Sequence, residues 1–424
     1  MKPQSSRYRW YVVFVLFLFV LLHQADKLLI GPLTTPIMDT FHINEAQMGM
    51  VSSLALLVAA VLYPVWGYLY DRFARNKLLA LASFIWGSTT WLNALAPNYS
   101  TFLVTRSATG IDDSSYPGLY SLLSDYFGPR IRGTVFGLIQ LAQPLGYMLG
   151  TILAAMLAST LGWRAVFFIT GGAGIVVAAL IFFGVREPKR GQAEPELAGK
   201  AEIALVHIDA RVALGLLKKP SYLVLSLQGF FGVFPWQVLT FWFFRYLQKE
   251  RGYSDSESMM AMLVAIATMA AGYFIGGSVG DRAFRRTPRG RALVSMVGVL
   301  AGAVFLAVAL SVPVANKSLF LIPLAFTGLT MSIASPNVVA TVADVTEPEV
   351  RSTAQALESF IENIGAVVGP WLAGVIAIKY SLHVAILTIC LSTWLVCAVL
   401  FAVTAVLVPR DVARLREEMR ERAG

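Results

Sequence analysis

Charge is what this sequence has least of. Only 14% of its 424 residues are Asp, Glu, Lys or Arg, while 57% are hydrophobic; an average soluble domain carries about 25% charged residues. That shortage excludes an ordinary soluble enzyme or binding domain. Cysteine is almost missing too: Cys390 and Cys397 fall within one apolar run, so neither a disulfide framework nor a thiolate metal site follows. The four histidines, His23, His42, His207 and His383, are dispersed without ligand spacing, and no metal is expected. No Gly-x-x-x-x-Gly-Lys phosphate loop or nucleophile elbow is present, which takes support from an ATP-driven pump or a hydrolase. No cofactor and no enzyme activity are expected.

What is present is apolar sequence in long runs. Crossing ~30 Å of hydrocarbon takes about 20 residues. Twelve runs qualify: 10–35, 46–70, 78–96, 100–125, 134–160, 163–184, 221–246, 257–280, 292–312, 318–344, 352–378 and 382–408. They predict an all-α membrane protein with twelve transmembrane helices. The first run follows Arg7 and Arg9 like a signal peptide, but no small-residue cleavage site comes after it, and it continues through His23-Gln-Ala-Asp26-Lys27. It reads as a retained helix.

The net charge of +9 does not point to nucleic acid. Of the 34 Lys and Arg, 26 lie in the termini and loops of one face and six on the other, with Lys27 and Arg106 inside spans. This bias predicts cytoplasmic N- and C-termini in a bacterial-type inner membrane.

The chain divides into halves. Residues 1–185 form the first six-helix bundle, 186–220 a cytoplasmic linker, 221–408 the second bundle and 409–424 a cytoplasmic tail. Within the linker His207–Leu217 has helical apolar spacing, predicting a surface helix. Gly67, Asp71, Arg72 and Arg75 recur as Gly277, Asp281, Arg282 and Arg285 at an offset of 210. Pro117, Asp125, Pro129, Arg132, Thr134, Leu138, Gly146 and Gly150 recur at an offset of 219, from Pro336 to Gly369. Two pseudo-symmetric bundles related by an axis along the membrane normal are the architecture of secondary transporters of the major facilitator type.

Gly67–Lys77, GYLYDRFARNK, resembles the loop 2–3 signature of the major facilitator superfamily. The resemblance is strongest to its spinster-like group and spans most of the chain. An Asp-Arg pair in span 1 of that group is here Asp26-Lys27, and Arg-x3-Gly-x-Gly-Glu-Ala-x-Tyr in span 4 is here Arg106-x3-Gly110-Ile-Asp112-Asp113-Ser-Ser-Tyr116. Glu187-Pro-Lys-Arg-Gly191 is similar to the group's Glu-Pro-Pro-Arg-Gly. Lysine thus replaces arginine, Asp113 replaces glutamate, and Asp112 stands where glycine is usual. The resemblance implies alternating access, a monomer, a cavity lined by the first span of each half, and lysolipid-like or sphingoid-like substrates. Organic-anion symporters of the same superfamily share much of this pattern and imply a carboxylate or sugar acid instead.

A charge at mid-membrane costs at least ~2.5–3.5 kcal/mol, so such residues usually face a cavity and mark a pathway. Arg106 and Asp113 return to one helix face, with Gly110 between them opening room, while Asp112 points about 100° away. They are roughly 10 Å apart along the axis and need other partners. At offset 219 Arg106, Asp112 and Asp113 become Ala325, Met331 and Ser332; what only one half carries is the better candidate for chemistry. Asp26, Lys27, Arg106 and Asp113 are therefore expected to form one network. Glu358 and Glu362 share a face of span 11, and two like charges so close favour a proton held on one of them. They lie either in the cavity or at a hydrated helix end.

The expected roles follow. Arg106, Lys27, Tyr116, Trp236, Gln237 and Asn337 bind substrate, with helix bridging as the alternative for the amides. Asp26, Asp112, Asp113, Glu358 and Glu362 handle protons or another cation. Gly67, Asp71, Arg72, Arg75, Asp281 and Arg282 form a conformational latch. The predicted function is proton-coupled secondary transport of a small amphipathic or anionic solute. A non-transporting sensor with this fold is the rival from another class.

Overall fold

The computed structural model describes residues 6–43, 45–195 and 215–423. Most of the surface helix expected over His207–Leu217 lies outside the described residues. No strand occurs among those described. The helices are α1 Ser6–Phe41, α2 Glu45–Arg72, α3 Arg75–Leu95, α4 Tyr99–Ser107, α5 Gly110–Asp113, α6 Tyr116–Tyr126, α7 Arg132–Leu161 and α8 Trp163–Gly184. After the linker come α9 Pro220–Lys249, α10 Asp255–Arg286, α11 Gly290–Ser311, α12 Lys317–Met331, α13 Ala334–Val345, α14 Arg351–Lys379 and α15 Leu382–Ala423.

The boundaries have local causes. Asn98 caps α4 by accepting from the Thr101 amide at 2.9 Å, and Ser254 with Glu257 forms a reciprocal capping box at the start of α10. Gly162, at φ 77°, makes the turn between α7 and α8 that an L side chain would strain.

Among the described residues, eleven helical segments are long and apolar enough to cross a membrane. The twelfth expected span, 100–125, is the exception, because it is built from α4, α5 and α6, of 9, 4 and 11 residues. At its two breaks the backbone tightens to i→i−3 bonding: Thr109 N donates to Arg106 O at 3.2 Å and Ser115 N to Asp112 O at 3.0 Å. Pro117, which has no amide hydrogen, follows the second break. The same break recurs in the tenth span between α12 and α13, where Ile333 N donates to Thr330 O at 3.3 Å ahead of Pro336. The first break, after Ser107, has no counterpart there.

Two compact units result, and their boundaries differ from 1–185 and 221–408. The first comprises Met1–Phe127, Ala142–Gln192 and Glu349–Ala356; the second comprises Gly128–Leu141, Ala193–Pro348 and Leu357–Gly424. Each unit thus holds the opening turns of a helix from the other half of the sequence, for an electrostatic reason given below. The tail is not a separate element either: α15 continues through Pro409 to Ala423. Val408 and Val412 of α15 pack with Val345, and Asp411 accepts from the Ser221 amide at 3.2 Å.

Candidate functional site

In the first unit the broken span brings its charges against α1. Arg106, at the end of α4, donates to Asp26 Oδ2 at 3.5 Å and to the Lys27 carbonyl at 3.3 Å. Its guanidinium carbon lies 5.8 Å from the centroid of Phe167. Asp26 also accepts from Thr170 at 2.5 Å and Thr90 at 3.1 Å. The buried carboxylate therefore draws donors from α3, α4 and α8, as a charge away from water requires. Lys27 Nζ stands 3.0 Å from Asp113 Oδ2, and the lysine side chain keeps 37% of its surface, against 7% for Arg106. Lys27 is the accessible cation of this site and Arg106 the buried one.

Two expectations are corrected here. Asp112 does not point away: α5 is one turn between two breaks, and both its aspartates reach His23. Nε2 of that histidine lies 2.5 Å from Asp112 Oδ2 and 3.7 Å from Asp113 Oδ1. Gly110 does not open room. A Cβ there would meet the Ala55 carbonyl and come 2.8 Å from the Ala59 amide, so the glycine lets α5 lie directly on α2.

His23 extends the site. Its Nδ1 is 2.5 Å from the Tyr116 hydroxyl, which also accepts from Gln24 Nε2 at 2.9 Å. Trp86 stands edge-on to the imidazole at 5.3 Å between centroids. A cavity of about 170 Å³ is lined by His23, Asp26, Lys27, Arg106, Asp112 and Asp113, with Trp86 and Ile30. In the second unit the matching Ser332 donates to the Met269 carbonyl at 2.8 Å; it ties α12 to α10 and carries no charge.

The repeated acids are helix caps. Asp71 accepts from the Ser352 and Thr353 amides of α14 at 3.0 and 2.6 Å. Asp281 accepts from the Gly133 and Thr134 amides of α7 at 3.0 and 2.6 Å. An anion at a helix N-terminus satisfies amides that have no intrahelical partner and favours the helix dipole. This is why each opening turn belongs to the unit that holds its cap. A Cβ at Gly67 would come 2.6 Å from Ala356 Cβ, so the glycine permits that approach.

Arg75, buried, pairs with Asp125 at 2.6 Å and Glu187 at 2.7 Å. Arg72 and Arg282 are exposed, and Arg72 bonds only the Tyr68 hydroxyl among the contacts seen, at 2.6 Å; neither arginine belongs to the buried caps. The 210 offset also misplaces one partner. Arg285 is exposed, and Arg291 of α11 instead pairs with Asp281 at 2.6 Å and with Asp344. Arg132 joins Asp344 at 2.6 Å and Glu194 at 2.7 Å. Asp125, Asp344 and Arg132 were visible as repeat identities, whereas Glu187, Glu194 and Arg291 carried no repeat signal.

In the second unit Glu358 is buried, and a Cβ added at Gly229 of α9 would come 2.7 Å from its Oε1 and 3.9 Å from Glu362 Cβ. Both acids thus face α9 inside the helix bundle. No hydrogen-bond partner for Glu358 is present among the described residues. Trp236 lines a small apolar cavity of about 50 Å³ with Phe243, Met262, Met269 and Met331, and Gln237 is half-buried beside it in sequence. Asn337 bridges helices: its amide donates to Gly276 O at 3.0 Å and Ile333 O at 2.9 Å.

Comparison with known proteins agrees with this architecture. The sequence model of the Major Facilitator Superfamily matches residues 15–316 and 289–423. Protein spinster homolog 1 of Xenopus tropicalis is 30% identical over 397 residues, covering 88% of this chain and 74% of that protein. The sphingosine-1-phosphate transporter SPNS2 of the same organism is 27% identical over 376 residues, covering 84% and 71%. Two solved structures share the fold. A bacterial homolog of the human lysosomal transporter spinster, inward-facing and unoccupied, superposes with a TM-score of 0.60 at 21% identity, covering 98% of this chain and 99% of that one. The Escherichia coli fucose:proton symporter FucP does so with a TM-score of 0.75 at 14% identity, covering 94% and 99%. With the helical architecture, the cap repeats and these likenesses in agreement, the chain belongs to the spinster-like group of the major facilitator superfamily and is a multi-pass membrane protein.

Proposed function

We propose that the protein is a secondary active transporter that moves an anionic amphipath, with protons as the coupling ion, by alternating access. The observation that carries this reading is Lys27: a partly exposed cation, paired with Asp113, on the wall of a cavity whose Arg106, Asp112 and Asp113 are replaced by Ala325, Met331 and Ser332 in the other half of the repeat. Its role is to receive the anionic group, with Arg106 behind it fixing Asp26 and thereby the position of α1. Tyr116 adds a hydroxyl on the same side. Trp236 and Gln237 keep their place among the substrate-binding candidates of the second unit, whereas Asn337 is assigned to the scaffold. Asp26, Asp112, Asp113, Glu358 and Glu362 are the acidic groups whose negative charge the coupling proton offsets. The Asp71 and Asp281 caps, with Gly67 and Arg75, would break and remake as residues 1–185 rock against 221–424.

The substrate class is inferred from one relative, the sphingosine-1-phosphate transporter SPNS2, together with an accessible lysine. Lysophospholipids and sphingoid phosphates are favoured over sugar acids on that ground. A bacterial-type inner membrane with both termini cytoplasmic fits the loop charges. The test is thermal stabilisation of the purified protein by lysophospholipids, sphingoid phosphates, monocarboxylates and sugar acids. Lysophosphatidic acid or a sphingoid phosphate is expected to raise Tm in the wild type, and Lys27→Ala to weaken its affinity at least about tenfold, ~1.4 kcal/mol. Stabilisation by sugar acids alone would move the reading to an organic-anion symporter, and an undiminished lipid effect in Lys27→Ala would remove the lysine from the site.

A further inference from the structure

The charges lining the cavity of the first unit do not balance. Three carboxylates, Asp26, Asp112 and Asp113, stand against two fixed cations, Lys27 and Arg106, in one cavity. A cluster shielded from water is least costly when neutral, so one more proton is called for. His23, 3% exposed, is the remaining titratable base in that wall.

The groups facing it can be enumerated. Asp112 and Asp113 approach from α5, Tyr116 from α6, and Asp26 and Lys27 lie on its own helix. Arg106 of α4 lines the same cavity, Tyr63 of α2 donates to the Asp113 carbonyl at 3.4 Å, and Tyr147 of α7 lies near Lys27 and Asp113. From α3 the Trp86 ring stands against it.

The hydrogen bonds form a chain with a direction. Gln24 Nε2 donates to the Tyr116 oxygen, so the tyrosine hydrogen is free to point at His23 Nδ1, and the imidazole then donates from Nε2 to Asp112. Each donor meets one acceptor only if His23 is neutral. A proton placed on Nδ1 reverses one link. Nδ1–H now donates to the Tyr116 oxygen, which already accepts from Gln24, and the tyrosine's own hydrogen must turn out of the chain and become an unused donor.

We propose that His23 is the seat of the coupling proton, and that its protonation switches Tyr116 from donating to the histidine to donating to an arriving anion. This deepens the transport reading above and rests on it. The proton comes from solvent and adds to Nδ1; no other bond changes, and the Tyr116 hydrogen stays on its oxygen. The order follows from charge. With His23 neutral the cluster carries one net negative charge and repels an anion; with the proton bound it is neutral and offers a new donor. One proton then accompanies each anion bound.

The experiment uses the full chain with ¹³C-labelled histidine in detergent micelles, without substrate. There are four histidines, and the resonance lost in His23→Gln identifies the one of interest. It is expected to pass from the neutral to the imidazolium position between about pH 8 and about pH 5. Tyr116→Phe should displace the midpoint by roughly half a unit or more, leaving His42 and His383 unmoved. A His23 resonance fixed across that range, or one indifferent to Tyr116→Phe, overturns the proposal. Because no substrate is used, failure of every lipid to bind would defeat the transport reading without touching this result. If lysophosphatidic acid binds, adding it near pH 7 should convert His23 to imidazolium one for one, and binding that leaves the resonance unchanged would refute the coupling.

Discussion

The fourth and tenth spans are the same piece of chain used twice, and they differ in an informative way. Both unwind ahead of a proline, Pro117 or Pro336, and both end in an aspartate, Asp125 or Asp344, bound to buried arginines. Only the fourth unwinds a second time, and only the fourth carries Arg106, Asp112 and Asp113. The shared break belongs to the scaffold. The extra break isolates one turn, α5, whose two adjacent carboxylates both reach His23. What distinguishes the halves is therefore a backbone irregularity and the charges it presents, on an otherwise duplicated frame.

The largest test of this comparison is Arg106→Ala. It leaves Asp26 buried without its cation and should cost ~3–5 kcal/mol, read as a drop in Tm in detergent, whereas Ala325→Leu at the matching position should leave Tm nearly unchanged. Equal effects would mean that the two spans are not specialised. Next is Gly110→Ala, which sets a methyl against the Ala55 carbonyl where α5 lies on α2. Overpacking of this kind costs ~1–3 kcal/mol, and loss of lipid stabilisation beyond the fall in Tm would show that the placement of α5 sets the site. The smallest is Ser332→Ala, which removes the bond to the Met269 carbonyl; about 1 kcal/mol or less is expected, with ligand binding intact. A large binding defect there would break the assignment of the second unit's kink to scaffolding.

Much of the frame was legible in the sequence. Hydropathy located the runs well: 163–184 is α8, Trp163–Gly184, to the residue. It could not see that 100–125 unwinds, because a break between apolar neighbours leaves the mean hydropathy unchanged. Repeat identities pointed to Asp71, Asp281, Asp125 and Asp344, but not to the exchange of helix starts that their capping produces, since a cap and its amides lie more than 140 residues apart along the chain. In the site, intramembrane charge flagged Asp26, Lys27, Arg106 and the two aspartates. It passed over Thr90 and Thr170, which are uncharged, and it underrated His23, whose meaning comes from contacts 89 and 93 residues away. Offset arithmetic also chose Arg285 where the fold uses Arg291, because α10 runs four residues past its repeated Asp-Arg, where α2 ends, and the loop after it is one residue longer.

The continuity of α15 has a practical side. Its 42 residues make a rod about 60 Å long, and Asp411 and Val412 fasten its lower part to the second unit. A spin label or fluorophore attached near Glu418 would ride on that unit as a lever, not dangle from a tether. Distances from such a label to one on the first unit would give a direct readout of the transport cycle in a lipid nanodisc, with no radioactive substrate required.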